Sequence, residues 1–313
     1  MNDKINRREF VKTTATAVAA AAMPYNPLAR KPLLVVSYGM GVDSTAMLVG
    51  MAARNERPDL ILFADTGSEK QETYDYLATM NAWLKSVGFP EVTVVKYVPQ
   101  RFKHAPYSTL AGNCLSNSTL PSLAFGFKSC SLKWKAAPMD KYVRAFAAKL
   151  QAMPGIDSLF DFDAKIVRCI GYDCSPADNK RFAHANSKTE DGEWKFRYPL
   201  QEWGWTRVEC EAEIKAAGLP VPPKSSCTFC PAMKTHEVDA LPADKLTEIV
   251  KIEAKASPKL KTTEGLWRKT SKTKPGRMTD WIWKHELLTR DQVESTWKDT
   301  VGQDFEPRLG DWA

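Results

Sequence analysis

Leu33-Leu34-Val35-Val36-Ser37 leads through Tyr38-Gly39-Met40-Gly41-Val42-Asp43-Ser44 into Thr45-Ala46-Met47-Leu48-Val49-Gly50-Met51-Ala52, and this stretch decides the fold. The first five residues form a short apolar run that reads as a buried strand. The last eight read as a helix, opened by Asp43 and Ser44, which are good capping residues. Between them lies a glycine-containing turn. Strand, turn and helix start together make an anion site, because free backbone N–H groups point outward there and the helix dipole favours negative charge. Gly39 and Gly41 allow a ligand close to the backbone, and Ser37, Ser44 and Thr45 supply hydroxyls. The turn lacks the Gly-Lys-Ser/Thr ending of a Walker loop. It also lacks the third glycine of a dinucleotide-binding turn, because Asp43-Ser44 stands there.

Outward from this turn the pattern repeats. Leu60-Ile61-Leu62-Phe63-Ala64 reads as a second strand, Val92-Thr93-Val94-Val95 as a third and Lys165-Ile166-Val167-Arg168-Cys169-Ile170 as a fourth. A helix over 69–87 places Tyr74, Leu77, Met80 and Leu84 at helical spacing. Strands alternating with helices predict an α/β fold, a Rossmann-like parallel sheet with helices on both faces. Residues 100–127, rich in Ser, Asn, Pro and Gly, are too long for an ordinary connection and read as an active-site loop or lid. From Trp205 onward the strand signal fades, and 206–217, 241–256 and 290–300 read as helices. The expected organisation is a leader over 1–30, a nucleotide-binding domain over 31–205, and a mainly helical C-terminal region over 206–313 that carries Cys227-Thr-Phe-Cys230.

Composition narrows the class. With 43% apolar residues and ten Trp the chain has ample core material, and 26% charged residues is ordinary for a globular protein. The net charge of +7 suits a phosphate-bearing ligand or a nucleic acid. Basic residues thicken from Lys245 to Lys274, and those beside Trp267 could follow a nucleic-acid backbone and stack a base; a charged surface over a buried Trp is the plainer reading. Seven Cys in 313 residues do not make a disulfide scaffold. No apolar run reaches the roughly 18 residues of a membrane span, so stable membrane insertion is not expected. At the start, Asn6-Arg7-Arg8-Glu9-Phe10-Val11-Lys12 and the Ala-rich stretch to Met23 look like a twin-arginine export signal. That pattern points to the periplasm, and a nucleotide loop points to the cytoplasm, where ATP is available. The cytoplasm is the expected compartment.

The turn at 37–44 resembles that of the PP-loop superfamily, whose signature is Ser-Gly-Gly-x-Asp-Ser after the first strand; Tyr38 and Met40 depart from it. Ala64-Asp65-Thr66-Gly67, followed by Glu72-Thr73-Tyr74, resembles the Asp-Thr-Gly and Glu-Thr segments of phosphoadenosine phosphosulfate reductases. Cys130-Ser131-Leu132-Lys133-Trp134-Lys135 resembles that family's Cys- and Lys-containing turn, and 171–181 its Gly…Arg substrate segment. Tyr198-Pro199-Leu200-Gln201-Glu202-Trp203 follows in the same order, so the resemblance spans roughly residues 33–235. It implies binding of ATP or a related adenylate with Mg²⁺, on Ser37, Gly39, Gly41, Asp43, Ser44, Thr45, Asp65, Thr66 and Gly67. It implies catalytic roles for Asp43, Lys133 and Arg181, and chemistry at the α-phosphate, as adenylyl or sulfur transfer.

Assimilatory relatives carry a 4Fe–4S cluster on a Cys pair and a downstream Cys-x-x-Cys. Here three thiolates match, Cys130, Cys227 and Cys230, and the fourth ligand is open. A three-Cys cluster, a zinc site completed by Cys210, Cys174 or His236, and a plain pair of buried thiols all satisfy the spacing. Reductases of the family use a Cys in a C-terminal tail, whereas no Cys follows Cys230 in this chain. Reduction would therefore need an unconventional thiol such as Cys114. A nucleotide-sensing or nucleic-acid-binding module without turnover is the non-enzymatic alternative.

Overall fold

A computed structural model describes residues 30–101, 104–121, 123–124, 127–128, 130–187, 190–310 and 312. The twin-arginine-like leader lies outside the described residues.

Six strands form one sheet: β1 (Leu34–Ser37), β2 (Leu60–Asp65), β3 (Val92–Lys96), β4 (Ile166–Ile170), β5 (Glu190–Asp191) and β6 (Trp194–Arg197). Their spatial order is β3-β2-β1-β4-β6-β5. All neighbours are parallel except the edge pair β5–β6. The register sets Val36 beside Ile61 on one side and beside Cys169 on the other. The central strands are apolar on both faces, as helices covering both sides of a parallel sheet require. Val36, Ile61 and Phe63 pack under α1 (Val42–Ala53), α2 (Gln71–Ser86) and α7 (Arg207–Ala216). Leu33, Val35, Leu60, Leu62 and Ala64 face the other way, against Val143, Phe146 and Leu150 of α4 (Ala137–Gln151). The alternation follows from the period of two along a strand.

After Pro199 the described residues form helices and loops: α6 (Pro199–Trp203), α7, α8 (Thr235–Asp239), α9 (Ala243–Ala256), α10 (Met278–Lys284) and α11 (Arg290–Val301). The last four surround a separate core of Ile249, Val250, Ile252, Ile282 and Trp297. One element of this core corrects the expected lid over 100–127. Leu110–Asn117 is a helix, α3, capped by the Thr109 side chain and packed on α9 through Leu110, Ala111 and Cys114. Its apolar residues Leu110, Ala111, Cys114 and Leu115 have helical spacing but are too few to stand out among Ser and Asn. Helix α5 (Pro176–Asn186) and the β5–β6 hairpin also escaped the sequence reading. Among the described residues no helix is long and apolar enough to cross a membrane.

Glu253 ties the C-terminal core together. Its wholly buried carboxylate accepts from the Leu266, Met278 and Thr279 amides at 2.6, 3.0 and 2.8 Å, and from the Thr279 hydroxyl at 2.6 Å. Four donors converge on one charge, so an isosteric amide turns one acceptor oxygen into a donor facing donors. Glu253→Gln is expected to destabilise the protein by about 3 kcal/mol, measured as a lower midpoint in urea with an unchanged slope.

Candidate functional site

The strand order reverses at β1. Connections from β1 lead to β2 on one side and, later in the chain, to β4 on the other, so the carboxyl ends of β1 and β4 flank a switch-point crevice. A cleft of about 950 Å³ opens there. Its floor is the β1–α1 turn, with Ser37, Gly39, Gly41, Asp43 and Ser44 lining it. Gly171, at the end of β4, allows the two loops to meet: a Cβ there would lie 3.1 Å from the Asp43 carbonyl and the Ser44 Cα.

The turn is braced from within. The Gly39 amide donates to Ser44 Oγ at 3.1 Å, and Ser44 Oγ donates to the Gly41 carbonyl at 3.2 Å. Met40 holds a left-handed φ of 61°, unusual for a residue with a side chain, and that side chain is completely buried. Core packing thus holds a conformation that is more often left to glycine. Thr45 does not reach the cleft. Its hydroxyl is buried and lies 3.0 Å from the Tyr38 hydroxyl, because the first helical turn carries it round to the core face.

Cations ring the opening: Lys135, Arg181, Arg207 and Lys224 all line it. Lys133, the expected cation, does not. It is exposed, with its ammonium 5.1 Å above the Tyr97 ring. Residues 131–136 form a π-helical turn that continues into α4, and this register directs Lys135 inward. Lys135 Nζ lies 2.8 Å from Glu69 Oε1, and the Glu69 side chain is 0% exposed. Burial alone would lower the Lys135 pKa; the Glu69 carboxylate and the nearby Cys227 and Cys130 thiols more than reverse this, and it is raised. Ser226 adds a buried hydroxyl with no hydrogen-bond partner to the same wall. Tyr172, stacked on Tyr198 at 5.6 Å, gives the cleft an aromatic side chain.

The acid side is a cluster that sequence reasoning did not assemble. One carboxylate oxygen each of Asp43, Asp173 and Asp178 lies within 4.8 Å of the other two. Asp43 Oδ1 and Asp173 Oδ2 are buried without a hydrogen-bond partner. Arg207 is the counter-charge, 3.1 Å from Asp43 and 3.5 Å from Asp173, and Arg181 lies 2.7 Å from Asp178. Oxygen-only ligands with orphaned lone pairs fit a hard divalent cation such as Mg²⁺. Burial, together with Asp173 and Asp178 and against the pull of Arg207, pushes Asp43 up to about 7. Below that pH its oxygen carries a proton and competes with the metal; above it the charge is available. Mg²⁺ affinity is therefore expected to rise with pH up to about 7 and then level off. In Asp43→Asn that dependence should vanish, which calorimetric titration with MgCl₂ across this range would show.

Asp65, Thr66 and Gly67 sit off the cleft wall. Asp65 is buried; that raises its pKa, but Lys96 at 2.8 Å, the Tyr74 hydroxyl at 2.7 Å and the Gly67 amide at 2.7 Å more than offset the effect and hold it low. Gly67 has a left-handed φ of 67° against Thr109. Thr66 Oγ1 donates to Glu69 at 3.3 Å and lies 3.3 Å from Cys227 Sγ. These residues join the sheet to the C-terminal core.

Cys130, Cys227 and Cys230 all pack on that core, and Cys230 also lines the cleft. A tetrahedral zinc with bonds of about 2.3 Å needs ligand sulfurs within roughly 4 Å of one another. Among the described residues no three metal-ligating atoms that include a cysteine lie within 4.8 Å of one another, so a closed zinc site does not fit. Of its expected completing residues, Cys210 is in the core under α1 and α7, and His236 is exposed. A multinuclear cluster holds its thiolates further apart. Glu69 Oε2 is buried and without a hydrogen-bond partner and Oε1 lies 3.8 Å from Cys227 Sγ; burial and this carboxylate raise the pKa of the Cys227 thiol, which opposes the thiolate that a cluster requires. All seven cysteines are free.

A larger hollow of about 1140 Å³ lies at the amino ends of β1 and β4, lined by Leu34, Val167, Phe182 and Phe196. Its Arg197 is paired with Glu56 and Glu202, and neither a glycine turn nor the aspartate cluster lines it. The cleft at the carboxyl ends therefore carries the chemistry. Comparison with protein-family models, with curated proteins and with solved structures finds no match to the chain.

Proposed function

We propose that the chain is a PP-loop enzyme, with a Rossmann-like nucleotide-binding domain over 31–205 and a helical region after it. It binds ATP or a related adenylate and acts at the α-phosphate, by adenylyl or sulfur transfer. One observation carries this reading: the glycine turn after β1, Asp43 and four cations line a single cleft at the switch point, with Asp173 buried within 4.8 Å of Asp43. Free amides at the start of α1 and the hydroxyls of Ser37, Ser44 and Ser226 cradle phosphate oxygens. Lys135, Arg181, Arg207 and Lys224 neutralise the charge that accumulates as an α-phosphate bond breaks. Asp43, Asp173 and Asp178 would hold Mg²⁺, which supplies charge neutralisation across adjacent phosphates. Ile170, Tyr172 and Met233 offer the base an apolar wall. Cys130, Cys227 and Cys230, with Glu69, would hold an iron–sulfur cluster beside Lys135.

Reduction of a sulfonucleotide through Cys114 has less support. That thiol is 1% exposed in the C-terminal core, and burial pushes it up to about 12, so little thiolate exists at neutral pH. The cytoplasm suits an ATP-dependent reaction and remains the proposed compartment. Incubation with Mg²⁺ and ATP labelled at the α-phosphate tests the chemistry. Labelled AMP or an adenylylated acceptor, with pyrophosphate, supports the reading; ADP with inorganic phosphate sinks it.

A further inference from the structure

Ten Lys and Arg but only three acids fall between residues 245 and 277. That excess equals the +7 of the whole chain, and the other 280 residues carry 34 charges of each sign. Within this run Lys245 pairs with Asp244 and Arg277 is buried against Asp280, so the exposed Lys251, Lys255, Lys261, Lys269 and Lys272 make its basic edge. Helix α9 buries Leu246, Ile249, Val250 and Ile252, which leaves Lys251 and Lys255 exposed. Lys259 follows four residues on, and its ammonium donates to the Asn117 carbonyl at 3.1 Å. All three acids are engaged elsewhere. Glu253 is inside the core, Glu264 accepts from the Thr270 hydroxyl at 2.6 Å, and Glu248 accepts from the Thr228 hydroxyl at 3.3 Å. Among the described residues no ion pair holds Lys251, Lys255, Lys261, Lys269 or Lys272.

The edge is anchored beside the cleft. Trp267 Nε1 donates to the Met233 carbonyl at 2.9 Å, and Met233 is part of the cleft wall. Residues 268–273 are exposed next to this anchor, and the Lys274 ammonium lies 4.7 Å over the Trp267 ring.

We propose that this edge binds the phosphate backbone of a nucleic acid and brings it alongside the adenylate cleft. The proposal rests on the reading above only for what the cleft does. Trp267 is 5% exposed and cannot stack a base, so recognition is by backbone charge and is independent of sequence. No large exposed apolar residue falls between 245 and 277, so the edge lacks the apolar centre that a protein partner would need.

The test uses the full chain and two fluorescein-labelled probes, a DNA duplex of about 20 base pairs and an RNA hairpin, followed by anisotropy as KCl is raised. Each neutralised phosphate contributes about −0.9 to the slope of log affinity against log salt on duplex DNA, so four lysines predict a slope of about −4. Replacing Lys255, Lys261, Lys269 and Lys272 by Gln together should weaken binding at least tenfold and flatten the slope to near zero. ATP affinity, measured by calorimetry on the same variant, should not change. A flat salt response in the unmodified chain would overturn the proposal whether or not the variant folds. So would unchanged affinity in the variant, or binding to phosphatidylglycerol vesicles but to neither nucleic acid. Nucleic-acid binding without any ATP binding would sink the cleft reading and leave this one standing.

Discussion

Replacing Gly41 with Val is expected to weaken adenylate binding at least about 100-fold, close to 3 kcal/mol, while the thermal midpoint moves by less than about 2 °C. The two outcomes separate because Gly41 is needed for access and not for conformation. It is the N-cap of α1 with φ −108° and ψ 177°, extended backbone that valine adopts readily. An added Cβ would meet nothing closer than Ser225 Cβ at 3.8 Å, an ordinary contact. The extra methyl groups therefore fill the cleft, where phosphate oxygens have to approach the amides of the first helical turn. Undiminished ATP affinity in this variant would remove the loop from the site.

Lys135→Met is expected to cost about 3 kcal/mol of stability and most of the nucleotide affinity, whereas Lys133→Met should change either by less than about 1 kcal/mol. The difference comes from what each ammonium leaves behind. Removing Lys135 strands the Glu69 carboxylate, 0% exposed, with only the Thr66 hydroxyl at 3.3 Å and the weak Cys227 thiol donor. Because Lys135 is itself about one-third exposed, the loss belongs at the low end for a broken buried pair. Removing Lys133 gives up a cation–π contact at the surface. Lys135→Arg should restore most of the stability, because the pair to Glu69 re-forms. Nucleotide titrations and urea unfolding of the three variants check the assignment; loss of binding in Lys133→Met alone would reverse it.

Much of the sheet could be read from the sequence because its central strands are short apolar runs between polar turns. The four strands named there match β1 to β4 to within a residue or two at each end. Trp194–Arg197 escaped because it alternates Trp and Phe with Lys and Arg, as a strand near a half-covered edge does. Local pattern gave the loop at 37–44, and the resemblance pointed to Arg181 and to Lys133, whereas it is Lys135 that lines the cleft. That difference depends on a π-helical turn, whose register no short motif encodes. Asp173 and Asp178 needed topology: they count only once β4 is known to lie beside β1. Glu69 looked like the start of a helix and is instead a buried partner of Lys135, a relation made by folding across 66 residues.

The most direct test of the central claim is a crystal structure with Mg²⁺ and a non-hydrolysable ATP analogue carrying a methylene bridge between the α- and β-phosphorus atoms. The account predicts triphosphate density on Ser37 to Ser44, the metal on Asp43, Asp173 and Asp178, and the α-phosphate facing Lys135 and Arg181. Nucleotide bound anywhere else on the chain, or a cleft still empty at saturating analogue, would contradict it.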